Sequence, residues 1–406
     1  MTDPLPSVVR VLAMVLVLLA TALGAFLFGR SQSPADIGGE DRESLRLYAE
    51  ALGAVREDYV DQEAVDPEKQ TYAAIEGMLD SLGDEGHTRF LTPEEVESNR
   101  ESLSGTYVGV GIRLEDRDRE VVVASPIGGS PAAEAGVRSG DVVVAVDGKS
   151  VREQDTSEVV DKIKGPEGTD VELTVRRGEE ERDFTLERTE IDAPVVSWTR
   201  ISGSDVALVQ LTSFSDDSAE ELEKAFEEAG DAGARRFVLD LRDNPGGRLD
   251  QAVEMSGTFL NPGKVVYVRE EADGKREKVR IEDGADPMGA PLAVLVNGGT
   301  ASSAEILAGA LRDNDRAPVV GTTTYGTGTV LSEFTLSDGS ALLLGVAEWL
   351  TPNGDFIRET GIDPEVRVEL EEDDEPLIPS EARDLSREEI LERDSQLARA
   401  LGELQE

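Results

Sequence analysis

Residues 292–305 read Leu292-Ala-Val-Leu-Val-Asn-Gly-Gly-Thr-Ala-Ser-Ser-Ala-Glu305 and join two different patterns. The first five residues are apolar and end at Asn-Gly-Gly, which is typical of a strand buried on both faces. A helical pattern begins at Glu305. A small polar residue at such a strand-to-helix turn lies beside unpaired backbone N–H groups that favour negative charge. The turn therefore predicts either a helix cap at Thr300, Ser302 or Ser303, or a hydroxyl nucleophile with an oxyanion site beside it.

The composition excludes several classes of protein. A chain of 406 residues is long enough for two to three domains. The absence of cysteine excludes disulfides and thiolate sites, and with a single histidine we expect no metal and no organic cofactor. A net charge of −45 leaves no basic stripe to neutralise phosphates, so no nucleic acid partner is expected. Because acidic residues are scattered along the chain, they indicate a solvated surface suited to high salt rather than a cation site.

The amino terminus predicts a membrane segment. Residues Val11 to Gly29 carry no charge and lie between Arg10 and Arg30, and this length is just sufficient for a helix that spans the bilayer. Ala20-Thr-Ala22 resembles a signal-peptidase site, but it lies inside the apolar run, which favours an uncleaved anchor. Since no second span is visible, we expect a single-pass, membrane-anchored protein whose soluble part is extracytoplasmic.

Two helices are expected after a polar linker, from Ser44 to Val60 and from Pro67 to Leu82. The segment Gly83 to Pro93 follows them and contains His87, the only histidine of the chain. A single histidine in a sequence is more often a packed or surface residue than a catalytic one.

Residues 105–187 change to short alternating strands separated by glycines, the first expected from Thr106 to Leu114, with short helices at Pro131–Gly136 and Ser157–Ile163. The runs Ser125-Pro-Ile-Gly-Gly-Ser-Pro-Ala-Ala-Glu-Ala-Gly-Val137 and Ser139-Gly-Asp-Val-Val-Val-Ala-Val-Asp-Gly148 resemble a PDZ domain of the circularly permuted bacterial kind. The resemblance implies that an extended peptide adds to a sheet edge and that its terminal carboxylate binds a glycine-rich loop. The resemblance implies that this peptide-binding loop consists of Gly109, Val110, Gly111 and Ile112.

Apolar strands, glycine turns and helices alternate farther along the chain, which predicts a parallel or mixed sheet with crossover helices. Strands are expected at Val206–Leu211 and Phe237–Leu241, and a helix at Leu249–Phe259. Active sites in such sheets lie at the carboxyl ends of strands. The Gly246-Gly247 turn and Ser302 both follow strands, so we expect them to share one crevice.

At this point the chain resembles the carboxyl-terminal processing proteases, tail-specific serine endopeptidases that combine a PDZ domain with a catalytic core. The resemblance extends from about Leu45 to Leu404 and depends on five runs: Val238-Leu-Asp-Leu-Arg-Asp-Asn-Pro-Gly-Gly247, Val296-Asn-Gly-Gly-Thr-Ala-Ser-Ser-Ala-Glu-Ile306, Leu336-Ser-Asp-Gly-Ser340, Trp349-Leu-Thr-Pro-Asn-Gly354 and Gly361-Ile-Asp-Pro-Glu-Val366. It implies that Ser302 is the nucleophile. The implied oxyanion hole is the N–H of Ser303 with one N–H from the Gly246-Gly247 turn.

One departure from the family affects the general base. The family places a catalytic lysine in a Phe-Gly-Lys-Gly-Thr-Val-Gln segment and orients it with the glutamine. Here the segment reads Tyr325-Gly-Thr-Gly-Thr-Val-Leu331, so Thr327 and Leu331 replace both residues. Threonine cannot act as a base near neutral pH, and a serine without a base is a poor nucleophile.

Three explanations remain open from the sequence. His87 serves as the base, as in relatives with a tricorn-like core that are similar in using a Ser–His pair. Alternatively, the chain is an inactive pseudoprotease that binds peptides through its PDZ domain. The third candidate is a carboxylate base at Glu305, Asp313 or Asp243.

The carboxyl terminus predicts a final helix opened by a capping box at Ser386–Glu389. An apolar stripe along it requires a partner, either the amino-terminal helices of the same chain or a second subunit, so a homodimer is one expectation. We therefore predict a multidomain α/β protein with five parts: a membrane anchor or signal (1–30), a helical segment (31–103), a PDZ domain (104–190), a serine-peptidase core with a mixed sheet (191–370), and an acidic loop with a carboxyl-terminal helix (371–406). Its expected partner is a polypeptide substrate or peptide tail.

Overall fold

The structure is a computed structural model that describes residues 39–404 except 85–86, 118–119, 153, 179, 193, 283–286, 372–373, 375 and 384. The chain divides into two compact units, one up to Ile75 and one from Glu76 onward. The first contains helix α1 (Gly39–Asp58), a short 3₁₀ helix (Gln62–Ala64) and the start of α2 (Pro67–Asp80). These helices confirm the two that the sequence predicts, with slightly different ends.

The predicted anchor at residues 11–29 lies outside the described residues. Within the part of the chain that the structure describes, no helix combines the length and the apolar character needed to cross a bilayer.

The second unit opens with strand β1 and helix α3, and continues into the β-rich domain. The bounds of these elements are β1 Arg89–Leu91, α3 Pro93–Ser104, β2 Thr106–Gly109, β3 Ile112–Arg117, β4 Glu120–Pro126, α4 Pro131–Ala135, β5 Val142–Val146, β6 Lys149–Ser150, α5 Thr156–Ile163, β7 Asp170–Arg177, β8 Glu180–Glu187 and β9 Thr189–Asp192. Strands β3, β4, β5, β7 and β8 form an antiparallel sheet in that order, and β2 pairs separately with β9. Alternating valines and leucines of this sheet pack on α4 and α5 as one core.

The prediction of one continuous strand from Thr106 to Leu114 is wrong, because the chain leaves the strand conformation at Val110 and Gly111. Gly111 has a φ of 74°, and its carbonyl accepts hydrogen bonds from the Ile127 N–H (2.9 Å) and the Ser130 hydroxyl (3.0 Å). A left-handed glycine cannot continue a strand, so β2 and β3 pair with different partners.

The remaining elements form the core that follows the PDZ-like domain. Their bounds are β10 Val196–Arg200, β11 Val206–Leu211, α6 Ser218–Asp231, β12 Arg236–Asp240, α7 Leu249–Phe259, β13 Val265–Glu271, β14 Arg276–Arg280, β15 Leu292–Val296, α8 Ser303–Asp313, β16 Val319–Gly321, β17 Thr329–Thr335, β18 Ala341–Leu350, β19 Val366–Arg367, α9 Pro379–Ala382, α10 Arg387–Arg393 and α11 Ser395–Glu403.

The central sheet has the order β10-β11-β12-β15-β16-β19, with one antiparallel pair at the β10 edge and parallel pairs elsewhere. This mixed sheet confirms the fold class predicted for the core. Every residue of β15 is buried, and the strand alternates between two cores: Leu292, Val294 and Val296 pack with α6, α7 and α8, whereas Ala293 and Leu295 face the carboxyl-terminal helices. Burial on both faces explains the uninterrupted apolar run.

The sequence predicts that the apolar stripe of the last helix packs on the amino-terminal helices or on a second subunit, and this prediction is wrong. Ile390, Leu397 and Leu401 are buried against the second face of the central sheet, together with residues of β11, β12 and β15. The predicted capping box is present, since the Ser386 hydroxyl accepts from the Glu389 N–H at 3.3 Å. The stripe therefore has an intramolecular partner in the sheet itself and gives no support to a homodimer.

A buried ion-pair network fastens these helices to the sheet. Arg242, two residues after the end of β12, donates to Asp240 Oδ2 at 2.7 Å and contacts Asp394 Oδ2 at 2.9 Å, and all three side chains are buried. Burial alone would lower the pKa of the Arg242 guanidinium, but the two carboxylates outweigh burial and raise it. The network joins the strand that precedes the glycine turn to the start of α11.

We expect Arg242→Met to destabilise the protein by about 3–5 kcal/mol, because two buried carboxylates lose their counter-charge. The matched control is Arg276→Met, which breaks the exposed pair with Glu270 (2.8 Å) and should cost at most about 1 kcal/mol. Urea unfolding followed by tryptophan fluorescence measures both. Equal losses in the two variants would contradict a structural role for the buried network.

Candidate active site

Ser302 lies at the turn between β15 and α8 in an uncommon backbone conformation, with φ 54° and ψ −120°. Its backbone N–H donates to Glu305 Oε2 (2.9 Å) and Thr327 Oγ1 (3.1 Å), whereas its side chain makes no capping hydrogen bond. A residue other than glycine is seldom held at positive φ without a reason. The Ser302 side chain lines a cavity, and its hydroxyl has no hydrogen-bond partner among the described residues.

The other two hydroxyls of this turn have structural partners. Thr300 Oγ1 donates to the Leu241 carbonyl at 2.8 Å, and Ser303 Oγ donates to the Gly247 carbonyl at 3.0 Å. Both bonds tie the serine turn to the segment that follows β12. The sequence offered Thr300 and Ser303 as possible helix caps. In the structure their hydroxyls instead connect the serine turn to the glycine turn.

The glycine turn touches Ser302 directly, as the sequence predicts for two carboxyl ends of neighbouring strands. A Cβ placed on Gly246 would lie 2.7 Å from the Ser302 Cβ and 2.8 Å from the Ser303 nitrogen. A Cβ on Gly247 would lie 2.2 Å from the Phe214 carbonyl oxygen. Only glycine permits this approach, and both residues also have positive φ.

Two backbone donors remain free beside the serine. The Gly246 N–H donates to Asn244 Oδ1 at 2.9 Å and is therefore occupied. The N–H groups of Gly247 and Ser303 have no partner among the described residues. The donors available to an oxyanion are thus those of Ser303 and Gly247, and Gly246 supplies the close approach.

The two substituted positions lie in the same cavity. The Thr327 side chain is buried with its hydroxyl against the Ser302 N–H, and Leu331 is partly exposed in β17. Neither side chain can accept the serine proton. Within the described residues, no side chain makes a hydrogen bond with the Ser302 hydroxyl.

His87 lines the same cavity, whose volume is about 750 Å³. The imidazole is buried and neither ring nitrogen has a hydrogen-bond partner in the described chain. Its Nδ1 lies 3.4 Å from Asp84 Oδ1, and the Tyr325 ring packs edge-on at a centroid distance of 6.0 Å. A distant part of the sequence therefore supplies the histidine to the wall of the cavity that Ser302 also lines.

Asp84 is a site residue that the sequence analysis missed. It accepts hydrogen bonds from Thr88 Oγ1 (2.6 Å) and Arg358 Nη2 (2.7 Å). Burial by itself raises the pKa of Asp84, but the Thr88 hydroxyl and the Arg358 charge outweigh burial and lower that pKa. The Asp-x-x-His spacing of Asp84 and His87 was the available signal, since it places a carboxylate beside an imidazole within one turn.

The carboxylate candidates are less suitable as bases. Asp313 lies at the far end of α8 and pairs with Arg312 (2.8 Å), and Asp243 is exposed and bonded to Asn297 (3.0 Å). Neither lines the cavity. The carboxylate of Glu305 is saturated by four donors, including the Ser302 N–H.

The loop assigned to peptide binding lies at one edge of the β-rich domain. Gly109 ends β2, Val110 is buried with its carbonyl bonded to the Ala132 N–H (3.0 Å), and Ile112 begins β3. Strand β3 is the edge of its sheet. The edge and the glycine-rich loop beside it have the arrangement needed for a peptide to add as a further strand.

Comparison with known proteins gives a consistent family. Residues 205–368 match the model of peptidase family S41, and residues 122–177 match a PDZ domain model. The carboxy-terminal processing protease CtpA of Bacillus subtilis (strain 168) is 36% identical over 364 residues, which cover 88% of this chain and 76% of that protein. The probable CtpA-like serine protease of Staphylococcus aureus (strain COL) is 35% identical over 341 residues, 84% of this chain and 68% of that protein.

Among solved structures, the photosystem II D1 C-terminal processing protease matches with 31% identity and a TM-score of 0.47, covering 80% of this chain and 92% of that one. The family is established by the sequence matches. The chain belongs to the carboxy-terminal processing proteases, the PDZ-containing serine-type endopeptidases of peptidase family S41.

Proposed function

We propose that this chain is an active endopeptidase that cuts unfolded or tail-exposed polypeptides, with Ser302 as the nucleophile and His87 as the general base. The observation that carries the proposal is the free Ser302 hydroxyl beside two unpaired N–H groups, in a cavity that also contains an unpaired imidazole. Nucleophile, oxyanion donors and a titratable base within one cavity are the parts that acyl transfer requires.

In the proposed reaction, Ser302 Oγ attacks the scissile carbonyl carbon while its proton passes to His87 Nε2. Nδ1 faces Asp84, whose negative charge stabilises the imidazolium that forms. The N–H groups of Ser303 and Gly247 bond to the oxyanion of the tetrahedral intermediate. The intermediate collapses by breaking the C–N bond, and His87 returns its proton to the leaving amine.

Water then completes the cycle by the same route. His87 accepts a proton from the water as it attacks the acyl carbon, and the ester bond to Ser302 breaks as that proton is returned to the serine oxygen. The PDZ domain would recruit the substrate by adding its tail to the edge of β3, as PDZ domains do with extended peptides.

One observation favours a second candidate function. No hydrogen bond joins His87 to Ser302 among the described residues, and Thr327 and Leu331 supply no base. The alternative is a pseudoprotease that holds peptides through its PDZ domain without cutting them. It predicts peptide binding without turnover.

We expect the protein to degrade an unfolded casein-like substrate. Ser302→Ala should lower kcat by a factor of about 10⁴ or more, and His87→Gln by about 10²–10⁴, because the serine loses its proton acceptor. Ser197→Ala, on an exposed position of β10, is the matched control and should retain full activity. Turnover is measured by release of fluorescent peptides.

Two outcomes of this assay would count against the proposal. Wild-type turnover in Ser302→Ala would exclude the nucleophile. No turnover in the wild type, with PDZ-dependent peptide binding intact in the same preparation, would establish the pseudoprotease alternative.

The double substitution Thr327→Lys with Leu331→Gln tests whether the base has changed. Since the Thr327 hydroxyl already reaches the Ser302 backbone, a lysine there can approach the serine oxygen. In a His87→Gln background we expect a gain of at least about tenfold in kcat/KM. In the wild-type background we expect less than about a threefold change, because His87 already serves. A large gain in the wild-type background as well would instead indicate a lapsed Ser–Lys site in which His87 does not serve as the base.

We also propose that the protein is anchored in the membrane with its catalytic part outside the cytoplasm, supported by the uncharged run at residues 11–29. The full chain should stay in the membrane pellet after alkaline carbonate extraction, and protease added to spheroplasts should degrade it. A chain lacking residues 2–30 is the control and should be released. Recovery of the full chain in the soluble fraction, or its protection from added protease, would refute the proposal.

A further inference from the structure

Hydrogen bonds hold Asp84 at both of its carboxylate oxygens. Oδ2 accepts from the Thr88 hydroxyl at 2.6 Å, and Oδ1 accepts from Arg358 Nη2 at 2.7 Å. The Thr88 hydroxyl itself accepts from the Gly345 N–H at 3.0 Å, so its own proton is directed to Asp84. Two bonds at different oxygens fix the plane of the carboxylate, whose side chain is only 12% exposed.

The oxygen that Arg358 binds is also the one that faces His87. Asp84 Oδ1 lies 3.4 Å from His87 Nδ1, and the His87 side chain is 8% exposed. A carboxylate beside an imidazole favours the protonated ring, and a guanidinium bound to the same carboxylate offsets part of that charge. Arg358 therefore governs how much negative charge the His87 ring meets.

The backbone of Arg358 packs on the segment that reaches the nucleophile. A Cβ placed on Gly328 would lie 2.6 Å from the Arg358 Cβ and 2.8 Å from its backbone nitrogen, and Gly328 has a φ of 63°. Only glycine permits this approach. The preceding residue is Thr327, whose hydroxyl accepts from the Ser302 N–H. Arg358 thus joins the serine side of the cavity to the carboxylate on its histidine side.

The other ionisable groups around His87 are exposed or paired with one another. Tyr325 packs edge-on against the imidazole and is exposed, as is Arg89, which lines the same cavity. Glu348 of β18 lies 3.9 Å from Arg358 Nη1 and is partly exposed. The charged residues farther along the cavity wall form ion pairs, Arg248 with Asp216 and Asp250, and Glu333 with Arg100.

We propose that Arg358 is a positioning residue for the general base: it fixes the Asp84 carboxylate against the His87 imidazole and offsets its charge there. The inference rests on the proposed function, because it takes His87 as the base. A ring beside an uncompensated carboxylate holds its proton more tightly, and a protonated ring cannot accept one from Ser302. A guanidinium bound to that carboxylate limits this effect and keeps the carboxylate from turning away.

The carboxylate is charged over the whole range in which an imidazole titrates. Burial raises the pKa of Asp84, but the Thr88 hydroxyl and the Arg358 charge outweigh burial and lower that pKa. A change in the proton affinity of the His87 ring therefore reports the balance between Asp84 and Arg358, and not the titration of Asp84 itself.

The single histidine of the chain allows a direct test. Histidine labelled with ¹³C at Cε1 gives one imidazole signal in the NMR spectrum of the full chain in detergent micelles, and its pH titration reports His87 alone. Ser302→Ala is the background for every variant, so that the test requires no turnover and no self-cleavage interferes.

We expect Arg358→Gln, which removes the charge and keeps a donor for Asp84, to raise the titration midpoint of the ring by about one pH unit. Asp84→Asn should lower the midpoint by about one unit or more, because the guanidinium then acts alone. The double variant should lie between the two. The matched control is Arg152→Gln, which breaks an exposed pair with Glu181 (2.7 Å) and should leave the midpoint within about 0.2 unit.

Two further variants at the same position separate charge from folding. Arg358→Lys keeps the charge and should leave the midpoint within about half a unit. Arg358→Met removes both the charge and the donor, and it should raise the midpoint because Thr88 still holds the carboxylate. A midpoint that is unchanged or lowered in Arg358→Gln or Arg358→Met, or raised as much in Arg358→Lys as in Arg358→Gln, would overturn the inference.

The pH dependence of kcat/KM separates this inference from the proposed function. With His87 as the base, the acidic limb of the profile in Arg358→Gln should move to higher pH by the same amount as the NMR midpoint, about one unit. A midpoint that moves without the limb, or a wild type without turnover, would refute the proposed function and leave the effect of Arg358 on His87. Turnover that requires His87, together with a midpoint that Arg358→Gln does not move, would refute the inference and leave the proposed function.

Discussion

The carboxylate of Glu305 is the interaction on which the arrangement of the site depends. It is fully buried and accepts hydrogen bonds from the N–H groups of Ser302, Gly326 and Thr327 and from the Thr324 hydroxyl, all at 2.6–2.9 Å. Bonds to a charged group contribute about 1.5–3 kcal/mol each, and the first turn of a helix favours a negative charge. One side chain thus holds the serine turn and the segment before β17 in a single arrangement.

The hydrogen bonds to Glu305 explain how the Ser302 backbone can be strained while its hydroxyl has no hydrogen-bond partner among the described residues. A residue in a sparsely populated backbone conformation costs about 1–3 kcal/mol, and Ser302 is held there because its N–H is bonded from two sides. Its hydroxyl takes no part in that bonding and remains available. Thr327 contributes a backbone and a hydroxyl contact to this arrangement, and its side chain cannot serve as a base. His87, which lies beside Asp84 and Tyr325, is the imidazole that the fold brings to the same cavity.

The parts of the structure that could be predicted are those with a local signal. Strands Val206–Leu211 and Leu292–Val296 and helix Leu249–Phe259 have the predicted bounds, because apolar runs and glycine turns mark both of their ends. The crevice shared by the glycine turn and Ser302 followed from the rule on carboxyl ends of strands. The parts that could not be predicted depend on long-range packing: the periodicity of the last helices required burial but did not name the sheet as partner, and nothing local linked His87 to Ser302. Which glycine N–H stays free depends on the Asn244 side chain, which the spacing did not reveal.

The most direct test of the Ser302–His87 pair is the rate at which a fluorophosphonate labels the intact protein, followed by peptide mass mapping. An activated serine should form one adduct on the peptide that contains Ser302, and labelling should slow by about 10²-fold or more in His87→Gln, since the hydroxyl then keeps its proton. A wild-type protein that takes up no label at Ser302, or one labelled equally fast without the imidazole, would contradict the account.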